Sequence, residues 1–325
     1  MKRVFVLGVA VALLALAAGC ARDAGGDAPV VGFSQVGAES EWRTANTRSV
    51  RSAIEEAGFR LRFSDAQQKQ ENQIKALRSF IAQRVDVIAF SPVVESGWET
   101  VLREAKAAGI PVILTDRSVD VSDESLYVTL IGSDFVEEGR KAARWLLEDS
   151  PLRRGADREG PVRIVELQGT VGSAPAIDRG KGFREVLGDD QDYRIVRTQS
   201  GDFTRARGKE VMEAFLKSEG GDNIDVLFAH NDDMAIGAIQ AIEESGLRPG
   251  EDILVISIDA VRGAFEAMIA GKLNVTVECN PLLGPQLVDA IRAVQEGREL
   301  PKRIVVEESV FTREQAAEVF PSRQY

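Results

Sequence analysis

Asp116 and Arg117 stand side by side directly after an apolar run, PVILT (111–115), and Asp259 closes a second apolar run, DILVISID (252–259). A carboxylate takes the protons of neighbouring hydroxyls while a guanidinium fork donates to their oxygens, so the pair suits an uncharged polyol. Trp42, read as part of the loop after the first strand, and Phe203, three residues beyond Ser200, could supply flat faces for C–H surfaces. Trp98 and Trp145 fall inside helical patterns and read as core. Two acids such as Asp116 and Asp259 could also be a glycosidase pair.

Other chemistry is poorly provided for. Among 325 residues there is one histidine, His230, and two cysteines, Cys20 and Cys279. No His/Cys metal cluster can be assembled from these, and no cofactor motif is present. Gly169 and Gly172 lack the following Lys-Ser/Thr of a phosphate loop. With 40 Lys and Arg against 51 Asp and Glu, the formal charge of −11 argues against nucleic acid or an anionic surface as partner.

The elements that must position these residues alternate along the chain. Strands are expected at 30–35, 59–65, 85–90, 111–115, 162–168, 193–199, 225–230 and 252–259, with amphipathic helices between them. Ile74, Leu77 and Ile81 repeat at helical spacing, as do Val101, Leu102 and Ala105 before the Gly109-Ile110-Pro111 stop. Nearly all-apolar strands joined by helices indicate parallel sheets covered on both faces. In such sheets ligands bind beyond the carboxyl ends of strands, where helix N-termini converge. The residues there are Ser34 and Gln35, Asp65, Ser91, Asp116 and Arg117, Gln168, Ser200, Asn231 and Asp259. Ser, Asp and Asn are common at turns and caps in any case, so one such position says little. The sequence also echoes itself: Ser91 corresponds to Asn231 and Asp116 to Asp259, implying two similar lobes.

Met1-Lys2-Arg3 followed by the uncharged stretch Val4–Cys20 reads as an export signal, too short for a lasting membrane span. Its end, Leu16-Ala17-Ala18-Gly19-Cys20, resembles the lipobox of bacterial lipoproteins, which makes Cys20 a lipidation site and the anchor to the membrane. Cleavage there deletes Lys2 and Arg3, leaving 38 basic against 51 acidic residues and a formal charge of −13. Residues 21–29 then form a tether. Cys279 is left without a partner, so no disulfide is expected and it reads as a small buried residue.

Several longer segments carry a resemblance. Gly32-Phe33-Ser34-Gln35-Val36-Gly37, Glu41-Trp42-Arg43, Leu114-Thr115-Asp116-Arg117-Ser118, Gln199-Ser200-Gly201-Asp202-Phe203, Ala229-His230-Asn231-Asp232-Asp233-Met234 and Ser257-Ile258-Asp259 resemble the type I sugar-binding proteins of ABC transporters. They are most similar to the galactofuranose-binding members. The resemblance runs from Val30 to about Pro301. It implies an α/β fold of two Rossmann-like doubly wound lobes joined by a three-segment hinge: 30–132 with 280–307, and 133–279 with 308–325. It implies a monomer that closes on a monosaccharide and docks on a membrane permease with its ATPase, at the periplasmic or outer face of the membrane. Carried over residue by residue, the pocket comprises Trp42, Arg43, Ser91, Asp116, Arg117, Arg179, Phe203, Asn231 and Asp259. Arg179 is added by the resemblance alone.

The sequence departs from the family in two places. Glu278-Cys279-Asn280-Pro281 stands where pentose-binding relatives offer a glutamine, and Arg43 stands where ribose-type proteins have a second aromatic. The second departure favours a furanose with an exocyclic arm. Arg117 and Arg179 are expected to keep Asp116 and Asp259 ionised, which removes a hydrolase's proton donor. A repressor core shares the fold but carries a DNA-binding segment where this chain has an export signal. A receptor feeding a sensor kinase would use the same pocket and is the alternative.

Overall fold

The computed structural model describes residues 28–153, 155 and 160–325. Cys20, the export segment and residues 21–27 of the tether lie outside the described residues.

The chain first builds β1 (Val30–Gln35), α1 (Glu41–Glu56), β2 (Arg60–Asp65), α2 (Gln70–Ala82), β3 (Val87–Phe90), α3 (Glu99–Ala107), β4 (Val112–Thr115) and β5 (Thr129–Gly132). It continues through α4 (Phe135–Glu148), β6 (Val162–Gln168), α5 (Ala174–Leu187), β7 (Tyr193–Ser200), α6 (Arg205–Glu219), β8 (Val226–Ala229), α7 (Asp232–Glu244), β9 (Leu254–Asp259), α8 (Arg262–Ile269) and β10 (Val275–Glu278). Then come α9 (Gly284–Gln295), β11 (Arg303–Val305) and β12 (Val310–Thr312). Two six-stranded sheets result, ordered β11-β5-β4-β3-β1-β2 and β12-β10-β9-β8-β6-β7. The first is parallel throughout, and the second is parallel except at β12.

The two orders are the same pattern used twice, which is the internal echo made physical. β3 and β4 correspond to β8 and β9, so Asp116 and Asp259 close equivalent strands. Both sit at positive φ, +64° for Asp116 and +126° for Asp259, where a non-glycine backbone costs about 1–3 kcal/mol. The chain passes between the sheets three times, after β5, after β10 and after β11. Leu283, Leu287 and Ile291 of the α9 region pack with Val31, Phe33, Val50 and Ile54, returning that helix to the first sheet.

The eight strands expected from sequence form, most of them shortened by one or two residues at their ends. Four more, β5, β10, β11 and β12, are three or four residues long and carry too little period to be read in advance. Trp42 is a correction: Ser40 caps α1, its Oγ accepting from Arg43 N at 3.1 Å, so Trp42 lies in the first helical turn and not in a loop. Trp145 is buried within α4 as expected, and Trp98 is buried too, but as the cap residue just before α3 and not inside a helix.

Candidate ligand-binding site

The carboxyl ends of the two sheets face each other across the crossovers, and the space between them is walled from both sides. From the first sheet, Asp116 ends β4 and accepts from Arg43 Nη2 at 2.7 Å and from Ser91 Oγ at 3.0 Å. Arg43 comes from α1 and also donates from Nε to Glu39 at 3.1 Å. Burial would lower the Arg43 pKa, but Asp116 and Glu39 outweigh it and raise it. Ser91 therefore supports Asp116 and Arg43 from beneath, and does not itself line the cavity.

Arg117 is poised differently. Its Nη1 donates to the Val93 carbonyl at 3.1 Å, while its buried Nε, 3.6 Å from Asp116 Oδ2, makes no hydrogen bond among the described residues. Burial, aided by Arg43, lowers its pKa to about 10, with Asp116 opposing. Its guanidinium lies 5.3 Å from the Phe203 ring centre, across the lobe boundary.

From the second sheet, Phe203 is held at φ +61° in the turn after β7, its ring resting on Gly169. A Cβ on Gly169 would stand 1.8 Å from the ring, so only glycine fits beneath it. Asn231 caps α7, its Oδ1 accepting from Met234 N at 3.0 Å, and its Nδ2 donates to the Phe203 carbonyl at 3.2 Å. Asp259 meets Arg179 Nη2 at 3.6 Å, and no donor among the described residues lies at hydrogen-bond distance from its carboxylate. Asp232, the first residue of α7, holds the strained backbone beyond it. Its Oδ2 accepts from Val261 N at 2.9 Å, and its Oδ1 from Thr276, whose hydroxyl in turn accepts from Ala260 N at 3.1 Å.

Arg179 reaches the cavity from the second turn of α5. Gly139 of α4 and Gly182 of α5 let the two helix backbones touch: a Cβ would approach the partner carbonyl oxygen to 2.1 and 1.9 Å respectively. That close crossing lets Arg179 Nε donate to Glu138 at 2.7 Å and Nη1 donate to the His230 carbonyl. Burial works to lower the Arg179 pKa, but Glu138, Cys279 and Asp259 raise it overall.

Trp42 completes the wall. Although α1 belongs to the first sheet, the indole packs with the core of the second and donates to the Cys279 carbonyl at 2.6 Å. Eight of the nine residues expected from sequence thus line one cavity, and Ser91 underlies it. The cavity they bound is small, about 20 Å³, far below the roughly 300–1,000 Å³ of pockets for drug-sized ligands.

Other strand-end residues go elsewhere. Gln35 donates to Asn46 and Thr47 and accepts from Arg43 Nη1 at 3.2 Å behind the cavity wall, Asp65 is exposed and accepts from Gln67 N, and Ser200 donates to the Gly169 carbonyl. His230 is buried behind the cavity, its Nε2 3.0 Å from Glu166. The reading missed Glu39, Ser40, Pro175 and Cys279, which also line the space. Glu39 carried one usable signal, lying four residues ahead of Arg43, one helical turn. The expected ionisation of Asp259 is also corrected. Burial raises its pKa well above the carboxylate range, Arg179 opposing, with Asp232 and Glu138 adding to the rise.

Buried charged groups with unspent valence, walled by two aromatics between two lobes, describe a site that encloses a small polar solute. A family model described as a periplasmic binding protein domain matches residues 31–299. The chain belongs to the periplasmic binding proteins. Like the periplasmic binding proteins it resembles, it is an exported substrate-binding protein and not an enzyme. It is 50% identical over 280 residues to the galactofuranose-binding protein YtfQ of Escherichia coli (strain K12), covering 86% of each chain. It matches a Mycobacterium smegmatis structure in complex with β-D-fucofuranose at 54% identity and TM-score 0.87, covering 92% of this chain and 96% of that one. It also matches the periplasmic binding component of the arabinose ABC transporter of Shewanella sp. ANA-3, bound to α- and β-L-arabinofuranose. There the identity is 51% and the TM-score 0.85, over 91% of this chain and 95% of that one.

Proposed function

We propose that this binding protein captures a monosaccharide in its furanose form, in the class of galactofuranose, fucofuranose and arabinofuranose, and delivers it to an ABC permease with its ATPase. The observation that carries this reading is the set of unspent valences on buried groups around the cavity: Arg117 Nε, Glu39 Oε2 and the Asp259 carboxylate, contributed by both lobes. Neighbouring hydroxyls on a compact ring satisfy donors and acceptors of this kind together. Trp42, Phe203 and Asn231 bound the ring's faces, while Arg43, Asp116 and Arg179 fix its edges, with Ser91 supporting Asp116.

The lobes are proposed as 30–132 with 280–307 and 133–279 with 308–325. Sugar contacts that exist only when both lobes are together favour closure. The protein acts as a monomer, held at the membrane by a lipid on Cys20.

A thermal-shift screen with galactofuranose, galactose, arabinose and ribose tests the reading. At free sugar 100 times the dissociation constant the added stability is about 2.7 kcal/mol. No rise in melting temperature with any of them overturns the sugar assignment.

A further inference from the structure

The three crossovers meet at one carboxyl group. Glu308 lies on the third, between β11 and β12. Its Oε1 accepts from Ser133 Oγ on the first crossover and from Asn280 N on the second at 3.0 Å. Its backbone carbonyl accepts from Lys141 Nζ at 2.6 Å.

Two further acids face it, Glu138 of α4 and Cys279 at the end of β10, each 1% exposed. One oxygen or sulfur atom from each of the three lies within 4.8 Å of the other two. Glu138 Oε2 accepts from Arg179, but its Oε1 is buried and meets no ordinary donor among the described residues. The proton-bearing groups beside the Glu138 carboxylate are the Glu308 carboxyl and the Cys279 thiol. Ser133 has one hydroxyl hydrogen, directed at Glu308, and its oxygen lies 3.4 Å from Cys279 Sγ, open to the thiol proton. The Glu308 acid proton is left for Glu138.

We propose that Glu308 is held as a neutral acid donating to Glu138 Oε1, and that this proton joins the three crossovers into one hinge and positions Arg179 for the cavity. Glu308 is a positioning residue: it does not line the cavity, and it acts through Glu138 on Arg179, which meets Asp259 at 3.6 Å. The role assigned to Arg179 rests on the sugar-binding reading above.

Charge balance supports the neutral state. The groups facing the pair are Arg179 of α5, Cys279 and Asp259 of the second sheet, Lys141 of α4 on the Glu308 backbone, and Arg303 of β11 on the Ser133 carbonyl. Arg179 is paired with Glu138 at 2.7 Å, and Lys141 and Arg303 are spent on backbone carbonyls, so a charged Glu308 would lack a close counter-charge of its own. Burial first, then Glu138, pushes the Glu308 pKa up to about 9. An acid whose folded-state pKa is raised keeps its proton longer in the folded state. Its contribution to stability is therefore greatest below the ordinary carboxylate range, and falls as pH rises towards 9.

The test melts the wild-type protein and Glu308→Gln from pH 5 to pH 10, with and without D-galactose or L-arabinose. The amide of E308Q keeps a donor towards Glu138 and an acceptor for Ser133 and Asn280. Wild type is expected to lose melting temperature up to pH 9, and to bind sugar roughly tenfold more weakly at pH 10 than at pH 7. E308Q is expected to match wild type at pH 6 and hold both properties at pH 10, while Glu308→Ala melts lower at every pH. E308Q falling in parallel with wild type, or failing to fold at pH 6, overturns the proposal. So does equimolar bound metal in wild type that E308Q lacks. The sugar-free melts test the proton without reference to ligand, so absence of any sugar effect in wild type counts against the sugar reading alone.

Discussion

Arg43 and Asp116 form an ion pair at 2.7 Å that is almost fully buried, their side chains 3% and 5% exposed. Arg43 comes from a helix and Asp116 from a strand end, so the pair ties α1 to β4 as well as facing the cavity. Asp116→Ala leaves a guanidinium buried with only Glu39 as counter-charge. The expected cost is about 3 kcal/mol by urea denaturation, together with loss of the sugar-induced thermal shift. A variant of unchanged stability would show that solvent reaches Arg43 more freely than its burial indicates.

Gly169 and Phe203 give a sharper probe because neither carries charge. Gly169→Ala puts a methyl where the ring now rests, so the ring must leave its wall position. Sugar affinity is expected to fall at least tenfold, read by calorimetry, with far-ultraviolet circular dichroism unchanged. Retained affinity would remove Phe203 from the recognition surface.

His230 is the only histidine in the chain, which makes its titration directly visible. Burial holds its pKa below the ordinary value, although Glu166 opposes. Nε2 bonds Glu166 while Nδ1 is buried with no partner among the described residues, the arrangement of a neutral ring protonated on Nε2. Nitrogen NMR of untagged protein should show that tautomer at pH 7, persisting as pH falls past the ordinary imidazole value. Because the folded state resists the proton, stability is full above about 6.5 and declines as pH falls below it. A ring that titrates near 6.5 in the folded protein contradicts this.

Much of the site could be read ahead of the structure because strand ends in parallel sheets point at one place. Asp116, Asn231 and Asp259 are found that way. Arg179 is not, because it reaches the cavity from a helix flank, and that reach depends on two glycines whose facing is a property of the α4/α5 crossing. Ser91 follows the strand-end rule yet lies one layer down, since Arg43 and Asp116 occupy the space above it. The ionised state expected for Asp259 failed for a related reason. Arg179 was visible as a neighbour, whereas Asp232, the residue after Asn231, and Glu138 become its neighbours only through folding. The short strands β10 to β12, and with them the Glu308 hinge, carry almost no hydrophobic period.

The two lobes also bond each other directly, outside the groups assigned to the sugar. Trp42 Nε1 reaches the Cys279 carbonyl, Glu41 N donates to Asp233 at 2.7 Å, and Glu95 N donates to the Gly172 carbonyl at 2.9 Å. Each such bond raises the fraction of empty protein that is already shut, and apparent affinity scales with that fraction. Selection can therefore retune how tightly this protein holds its cargo, and how readily it gives it up, by altering a rim side chain such as Asp233, whose carboxylate accepts the Glu41 bond. The groups that decide which sugar is chosen need not change.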